Sequence, residues 1–249
     1  SMARTDSHVA LLFPGQGSQT ADMRESVERW RPDLLELARA EVSDDLFERA
    51  GDGTRWAQPA IFCAALAGYE QLKDRYEAGL MAGHSLGEIT ALVAADALDA
   101  PDGLRLVAAR GRLMDEASEG GMLAVRVRER APIEEVAAET GLAIANDNAP
   151  DQLVLSGAFG ALDRAEELLH ERKVRAKRLP VGGAFHSPLM EPAIEPFREI
   201  VEAVEFREPR VPVYSCVTAQ PFEDVPEQLV AALNHPVRVT DVLRALQER

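Results

Sequence analysis

The sequence predicts an α/β protein in which a parallel, hydrolase-like core sheet carries an inserted ferredoxin-like subdomain. Strand and helix patterns alternate through residues 8–117, which favours parallel pairing with helical crossovers. A Gly-x-Ser-x-Gly turn joins a strand to a helix at residues 83–87. Residues 122–181 then read β-α-β-β-α-β, the element order of a ferredoxin-like unit. We therefore expect a catalytic core from residues 1–121 and 182–249 and a subdomain from residues 122–181.

Composition limits the classes of protein to which the chain can belong. Its 249 residues are 46% hydrophobic, enough for one large core, and it has no run of 18 apolar residues that could span a membrane. The opening residues lack the apolar region of a signal peptide, so we expect a cytoplasmic protein. The formal net charge of −15 disfavours nucleic acid and anionic membranes as partners. Cys63 and Cys216 show neither disulfide nor metal-ligand spacing, so no metal site is expected.

The first elements are a strand and several helices. Residues 8–13 predict a buried strand that ends at the turn Pro14-Gly15-Gln16-Gly17. Residues 22–50 have a helical pattern with a break near Pro32. A helix over residues 58–78 is expected to begin near Pro59, because proline suits the first turn of a helix. Its inward-facing residues are predicted to be Ile61, Ala65, Leu66 and Leu72.

The Gly-x-Ser-x-Gly turn has the spacing of a nucleophile elbow. An apolar strand precedes Gly83, and a helix with an apolar face follows Gly87, which is the context that an elbow requires. Ser85 would then lie at a helix N-terminus, where free N–H groups and the helix dipole favour developing negative charge. The alternative is a tight strand-to-helix turn that holds an inert serine.

The remaining elements follow from the same patterns. A helix from about Asp102 to Ala117 stops before two glycines. After the subdomain the chain returns through Gly182-Gly183, a helix over residues 190–203, a strand over residues 211–217 and a closing helix from about Val239.

A nucleophilic serine needs a base, and the sequence offers five histidines. His84 adjoins Ser85 and would point to the opposite face of the strand. His8 is N-terminal, and His170 lies in a charged helix. His235, in Asn-His-Pro, is plausible on chemistry alone. His186 follows a strand and two glycines, in a loop of the kind that carries catalytic side chains, so it is the favoured candidate, with a structural histidine as the alternative.

Four ordered motifs resemble those of malonyl-CoA:acyl carrier protein transacylases and polyketide synthase acyltransferases. They are Phe13-Pro14-Gly15-Gln16-Gly17-Ser18-Gln19, Gly83-His84-Ser85-Leu86-Gly87-Glu88, Arg110-Gly111-Arg112-Leu113-Met114 and Ala184-Phe185-His186-Ser187-Pro188-Leu189-Met190-Glu191-Pro192. The resemblance continues more weakly through Pro236-Val237-Arg238 and covers nearly the whole chain. The sequence ends at Arg249, before the strand and Gly-Pro-Gly segment that usually close the core sheet of this family. Either the natural chain is longer or the fold ends differently.

The resemblance implies a Ser-His dyad. Ser85 would attack the thioester of malonyl-CoA, and His186 would act first as base and then as acid. A backbone carbonyl near Ala232 or Leu233, rather than an aspartate, would orient the imidazole. The backbone N–H groups of Gln16 and Leu86 would form the oxyanion hole.

The resemblance also implies a substrate. The arginine that matches Arg110 grips the free carboxylate of malonyl in this family, through a two-bond fork that lysine cannot copy. Leu86 and Phe185, beside the nucleophile and the base, resemble the malonyl-selective pattern rather than the methylmalonyl one. Two positions depart from the family, because Cys216 stands where Asn is common and Val239 where an aromatic residue is common.

The expected function is malonyl transfer from CoA to an acyl carrier protein in fatty acid or polyketide assembly. No bound cofactor is implied, since CoA enters as part of the substrate. The basic run around Arg175, Lys177 and Arg178 is either a solvated face or a docking surface for the acidic carrier. A thioester hydrolase of the same fold is the first alternative, and a non-catalytic carrier-docking scaffold is the second.

Overall fold

The computed structural model describes residues 9–117 and 119–248; His8 of the predicted first strand lies outside them. Within those residues the chain forms seven strands: β1 (Val9–Phe13), β2 (Ala78–Gly83), β3 (Gly121–Arg126), β4 (Ala143–Ala149), β5 (Gln152–Gly157), β6 (Ala176–Arg178) and β7 (Val213–Tyr214).

The same residues form ten α-helices: α1 (Met23–Trp30), α2 (Pro32–Glu41), α3 (Thr54–Leu72), α4 (Gly87–Ala94), α5 (Ala100–Glu116), α6 (Arg130–Thr140), α7 (Phe159–Glu171), α8 (Glu191–Glu202), α9 (Val225–Ala231) and α10 (Val239–Gln247). The predicted break near Pro32 falls between α1 and α2.

The core sheet is parallel, with the strand order β1-β2-β7; helix α4 packs against all three strands, and helices α3 and α5 pack against α4. The prediction that the first strand is buried is wrong for its outer residues. Ala10 and Leu12 are exposed because they share one face of β1, which the described residues leave uncovered, and Phe13 alone is fully buried. The middle strand β2 is buried from Leu80 to Gly83, so it carries its last residues into the protein interior.

Helix α3 begins at Thr54 rather than near Pro59. Pro59 is the sixth residue of the helix, and there its missing N–H removes one backbone hydrogen bond without ending the helix. The inward positions Ile61 and Leu66 are buried as predicted. Leu72 is exposed instead, because it is the last residue of the helix and extends beyond the core.

A second sheet lies between residues 121 and 178 and is antiparallel, with the strand order β4-β5-β3-β6. The element order of this region is the predicted β-α-β-β-α-β. Helices α6 and α7 cover one face of the sheet and enclose a separate hydrophobic cluster with Leu123, Val125, Leu153 and Leu155. The opposite face, with Met122 and Val154, packs against the main core.

The segment before α10 joins the two sheets. Val237 pairs with Asn146 of β4 in a parallel bridge, and its N–H donates to the carbonyl of Ala145 at 2.7 Å. The predicted strand over residues 211–217 is only two residues long, because the chain turns at residues 215–219, where the N–H of Ala219 donates to the carbonyl of Ser215 at 2.8 Å. The sequence patterns did not predict α9, the short helix that precedes this joining segment.

No helix within residues 9–117 and 119–248 is long and apolar enough to cross a membrane.

Candidate active site

The elbow at residues 83–87 is built on close backbone contact. A Cβ atom added at Gly83 would lie 1.9 Å from the carbonyl carbon of Gly87, and one added at Gly87 would lie 2.4 Å from the carbonyl oxygen of Phe13. Neither position can carry a side chain. Between them Ser85 has φ of +58°, a left-handed conformation that costs a non-glycine residue on the order of 1–3 kcal/mol. The strand, turn and helix therefore hold Ser85 in a strained conformation directly before α4.

Ser85 and His186 meet across 101 residues of sequence. The Ser85 Oγ and the His186 Nε2 are 3.1 Å apart, and the His186 Nδ1 is 2.7 Å from the carbonyl oxygen of Ala232. A carbonyl can only accept, so Nδ1 carries the proton and Nε2 presents its lone pair to Ser85. The predicted orienting carbonyl is thus that of Ala232, rather than Leu233. This tautomer is the one that a general base needs.

His186 is held rigidly in its loop. Ser187 donates its hydroxyl to the carbonyl of Ala184 at 2.6 Å and accepts the N–H of Leu189 at 3.2 Å. The imidazole is only 4% exposed. Burial, and after it the nearby Arg110 cation, lower the pKa of His186 from 6.5 to about 3, so the ring is neutral at physiological pH.

The other described histidines contact groups away from the Ser85 hydroxyl. The His84 Nε2 lies 3.0 Å from the Asn148 Oδ1 on β4, and burial lowers the pKa of His84. His235 bonds to the carbonyl of Ala231 through its Nδ1 and is exposed, as is His170 on α7. Among the described histidines, His186 is the one paired with Ser85.

Arg110 reaches the same hydroxyl from α5. Its Nη2 donates to the Ser85 Oγ at 3.0 Å, and its Nη1 donates to the Gln58 Oε1 at 3.0 Å. Gln58 also donates through its Nε2 to the Met114 Sδ at 3.2 Å, one helical turn beyond Arg110. Ser85 therefore accepts from Arg110 while it donates to His186, and Gln58 fixes one edge of the guanidinium.

Arg110 is a buried cation that lacks a carboxylate neighbour at ion-pair distance among the described residues. Only 2% of it is exposed. Burial lowers the pKa of Arg110 to about 10, and the Glu88 carboxylate opposes the fall, so the guanidinium stays protonated near neutral pH. A buried charge without a partner is costly, and such a group marks a site that an anion can occupy.

Two backbone N–H groups were predicted to form an oxyanion hole. The N–H groups of Leu86 and Gln16 make no hydrogen bond to any described residue. Their segments touch, because a Cβ at Gly15 would lie 2.6 Å from the carbonyl oxygen of His84. The Gln16 side chain is tied back to Thr54 by hydrogen bonds of 3.2 and 3.3 Å.

The side chains of Leu86 and Phe185 are both buried in the main core. Leu86 directly follows Ser85 in the sequence, and Phe185 directly precedes His186.

The basic run divides into paired and unpaired cations. Arg178 is bound by Glu166 and by Asp163, the latter at 2.6 Å, both on α7. Arg175 and Lys177 are exposed, with no ion pair to another described residue. They line a surface cavity of about 1200 Å³ together with Arg126 and Lys173. Ser85 does not line this cavity.

Sequence reasoning missed Gln58 and Glu88. Both are polar residues inside otherwise apolar helical stretches, and this contrast is the signal that could have singled them out. Glu88 is 1% exposed, and its Oε2 accepts the N–H of Cys216 at 2.9 Å. Burial raises the pKa of Glu88 to about 7.

Within the described parts of the chain, no three His, Cys, Asp or Glu side chains are grouped as a metal site would need.

A family model described as "Acyl transferase domain" matches residues 10–247. The malonyl CoA-acyl carrier protein transacylase of Bacillus subtilis is 36% identical over 265 residues, which cover 96% of this chain and 83% of that protein. The polyketide biosynthesis protein ThaF of Burkholderia thailandensis is 38% identical over 256 residues, but this chain spans only 22% of it.

The fold is similar to that of a solved transacylase. The crystal structure of malonyl-CoA:acyl carrier protein transacylase from Xanthomonas oryzae superposes with a TM-score of 0.90 at 36% identity, covering 98% of this chain and 85% of that one.

His186 and Glu88 should change the dependence of the free energy of unfolding on pH in opposite directions. The pKa of His186 falls from 6.5 to about 3 on folding, so between these values the unfolded chain binds more protons and the free energy of unfolding rises with pH. The pKa of Glu88 rises from 4.5 to about 7, so its contribution falls with pH. Between pH 4.5 and 6.5, His186→Gln should make the slope less positive and Glu88→Gln should make it more positive.

Each substitution should change the slope of the free energy of unfolding against pH by at most about 1.4 kcal/mol per pH unit. Urea denaturation at several pH values measures the slopes. Shifts of the same sign in both variants would contradict this assignment of protonation states.

Proposed function

This chain belongs to the acyl transferase domain family, and we propose that it transfers a malonyl group from CoA to the phosphopantetheine thiol of an acyl carrier protein. The transfer would serve fatty acid or polyketide assembly. One observation carries the proposal: the Ser85 Oγ lies 3.1 Å from a neutral imidazole and 3.0 Å from a buried guanidinium. The first contact suits a nucleophile, and the second suits a substrate with a free carboxylate.

In the first half-reaction, His186 Nε2 takes the proton of the Ser85 hydroxyl while Oγ attacks the thioester carbonyl. The tetrahedral intermediate then expels the CoA sulfur, which takes the proton back from Nε2 and leaves as the thiol. A malonyl ester of Ser85 remains. Because burial disfavours the imidazolium, the proton is returned readily to the leaving sulfur.

The second half-reaction runs through the same groups. The carrier thiol gives its proton to His186 Nε2 and attacks the ester carbonyl, and the Ser85 oxygen leaves with that proton. The N–H groups of Leu86 and Gln16 would bind the oxyanion in both steps, a role supported by their lack of other partners among the described residues. Ser85 and His186 supply the proton transfer, with CoA entering as part of the substrate rather than as a bound cofactor.

Arg110 would bind the malonyl carboxylate. Once Ser85 is esterified, its oxygen is a poor acceptor, so the Nη2 of Arg110 becomes free to donate to the carboxylate. Gln58 would act as a positioning residue that keeps the guanidinium edge turned toward the ester. We also propose that Leu86 and Phe185 restrict the space around the malonyl methylene and favour malonyl over methylmalonyl, a difference of about 1–3 kcal/mol.

We further propose that residues 122–181 form a ferredoxin-like subdomain inserted between two parts of the catalytic core, residues 1–121 and 182–249. The strand order β4-β5-β3-β6 and the separate hydrophobic cluster under α6 and α7 support this division.

The cytoplasm is the proposed location, and two free, buried cysteines suit a reducing compartment.

The carrier protein would dock on the unpaired cations of the subdomain. Lys177 lies opposite Ala124 in the β3–β6 pairing, so it shares the sheet face that turns toward the main core. Arg178 lies opposite Leu123 on the other face, where it pairs with α7. Lys177 and Arg175 are therefore the better candidates of the predicted set, because Arg178 is already neutralised.

Malonyl transfer can be tested by intact-protein mass spectrometry. Malonyl-CoA alone should give one malonyl adduct and one equivalent of released CoA, and adding carrier protein should remove the adduct. Ser85→Ala should give neither. Continuous CoA release without carrier would instead indicate the hydrolase, and the absence of any adduct would indicate a non-catalytic scaffold.

Removing the carboxylate-binding cation should change substrate preference. Arg110→Ala loses charge-assisted hydrogen bonds to malonyl, so the kcat/KM for malonyl-CoA should fall by at least about 100-fold. The kcat/KM for acetyl-CoA, which has no carboxylate, should change by less than about tenfold. Arg112→Ala, which removes an exposed arginine two residues away on α5, is the matched control. Equal losses with both substrates would contradict the carboxylate role.

Charge reversal should distinguish Lys177, which has no ion pair to another described residue, from Arg178, which has two. Lys177→Glu should raise the KM for the carrier protein several-fold without changing the rate of self-acylation by malonyl-CoA. Arg178→Glu should have a smaller effect, since Arg178 is bound by two carboxylates. Arg164→Glu, on an exposed arginine of α7, controls for net charge. If all three variants gave the same KM, docking at Lys177 would be disproved.

A further inference from the structure

The left-handed turn at Ser85 needs support from outside the elbow. The glycines make the turn sterically possible, but they do not hold it, and strained residues persist only where surrounding contacts fix them. We propose that Cys216, whose backbone N–H is held by the Glu88 carboxylate, is a positioning residue for Ser85: its thiol holds the elbow backbone in the turn that presents the hydroxyl to His186. This inference rests on the proposed function.

The Cys216 thiol contacts the backbone that leads into the elbow. Its Sγ donates to the carbonyl oxygen of Gly83 at 2.7 Å. The thiol therefore contacts the last residue of β2, two positions before the nucleophile. Burial raises the pKa of Cys216 well above its usual value, and the neighbouring Glu88 carboxylate adds to the rise. The sulfur thus keeps the proton that it donates.

Cys216 is itself fixed at both of its backbone groups. Its N–H donates to the Glu88 Oε2 at 2.9 Å, and its carbonyl accepts the N–H of Arg238 at 2.7 Å. Glu88 belongs to the first turn of α4, and its own N–H donates to the carbonyl of Ser85 at 3.0 Å. The contacts form a closed loop from Ser85 through Glu88 and Cys216 back to the elbow.

The loop connects the nucleophile to the segment that orients the base. Arg238 directly follows Val237, which bridges to β4, and its Nη1 donates to the carbonyl of Val217 at 3.2 Å. The same segment begins after Ala232, whose carbonyl accepts the His186 ring. Hydrogen bonds thus link Cys216 both to the elbow and to the segment after Ala232, so a shift at Cys216 would change the distance from Oγ to Nε2.

The test is the rate at which Ser85 reacts with a fluorophosphonate, a probe that requires the dyad but not malonyl recognition. Cys216→Val keeps an apolar side chain of similar size and removes the S–H donor, and it should lower the labelling rate at least tenfold. Cys216→Ser restores a donor and should recover the rate to within about threefold. The KM for malonyl-CoA should stay within about twofold in both variants, because Arg110 is not displaced.

Cys63→Val is the matched control, since it makes the same change at the other buried thiol, in α3. It should leave the labelling rate unchanged even if the melting temperature falls. Cys216→Ala gives a second measurement if the valine does not fold, with the same loss expected. Wild-type labelling rates in Cys216→Val or Cys216→Ala, or no recovery in Cys216→Ser, would overturn the proposal. Rapid labelling of wild type without a malonyl adduct would instead refute the proposed function alone.

Discussion

The close approach of two backbones at the elbow is the constraint on which the rest of the site depends. Gly83 and Gly87 lie so near each other, and Gly87 so near β1, that any side chain at either position would overlap with backbone atoms. This contact places Ser85 at the start of α4 in a left-handed conformation. That placement orients the hydroxyl and buries Glu88. It also leaves the N–H of Leu86 without a hydrogen-bond partner among the described residues.

Electrostatics explains why a hydroxyl in this position can react. The chain carries a formal net charge of −15, yet the deepest cation of the site, Arg110, has no carboxylate at ion-pair distance among the described residues. Gln58 holds it with a neutral amide, which leaves its charge available. The imidazole beside it stays neutral because burial and this cation both disfavour a second positive charge. The free protein therefore contains a neutral imidazole that can accept the Ser85 proton. It also contains a buried cation that can bind an anion such as the carboxylate of a malonyl thioester.

The sequence predicted the parts of this arrangement that depend on local chemistry. The glycine spacing identified Ser85, the loop after Gly182-Gly183 identified His186, and the family motif identified Arg110. Contacts between distant segments could not be predicted in this way. The hydrogen bond from Arg110 to Gln58 spans 52 residues and that from Cys216 to Glu88 spans 128, so both depend on how the helices pack. The exposure of Ala10 and Leu12 on β1 was missed for a similar reason, since an apolar run does not reveal which face of the strand other elements cover.

A crystal structure of the protein after reaction with malonyl-CoA would test most directly whether Ser85 and Arg110 form one malonyl site. We expect density for a malonyl ester on the Ser85 Oγ, with both carboxylate oxygens about 2.7–3.2 Å from Arg110 nitrogens. The ester carbonyl should point at the N–H groups of Leu86 and Gln16. An ester whose carboxylate lies in solvent, with Arg110 bound only to Gln58, would contradict the central claim that these groups form one malonyl site.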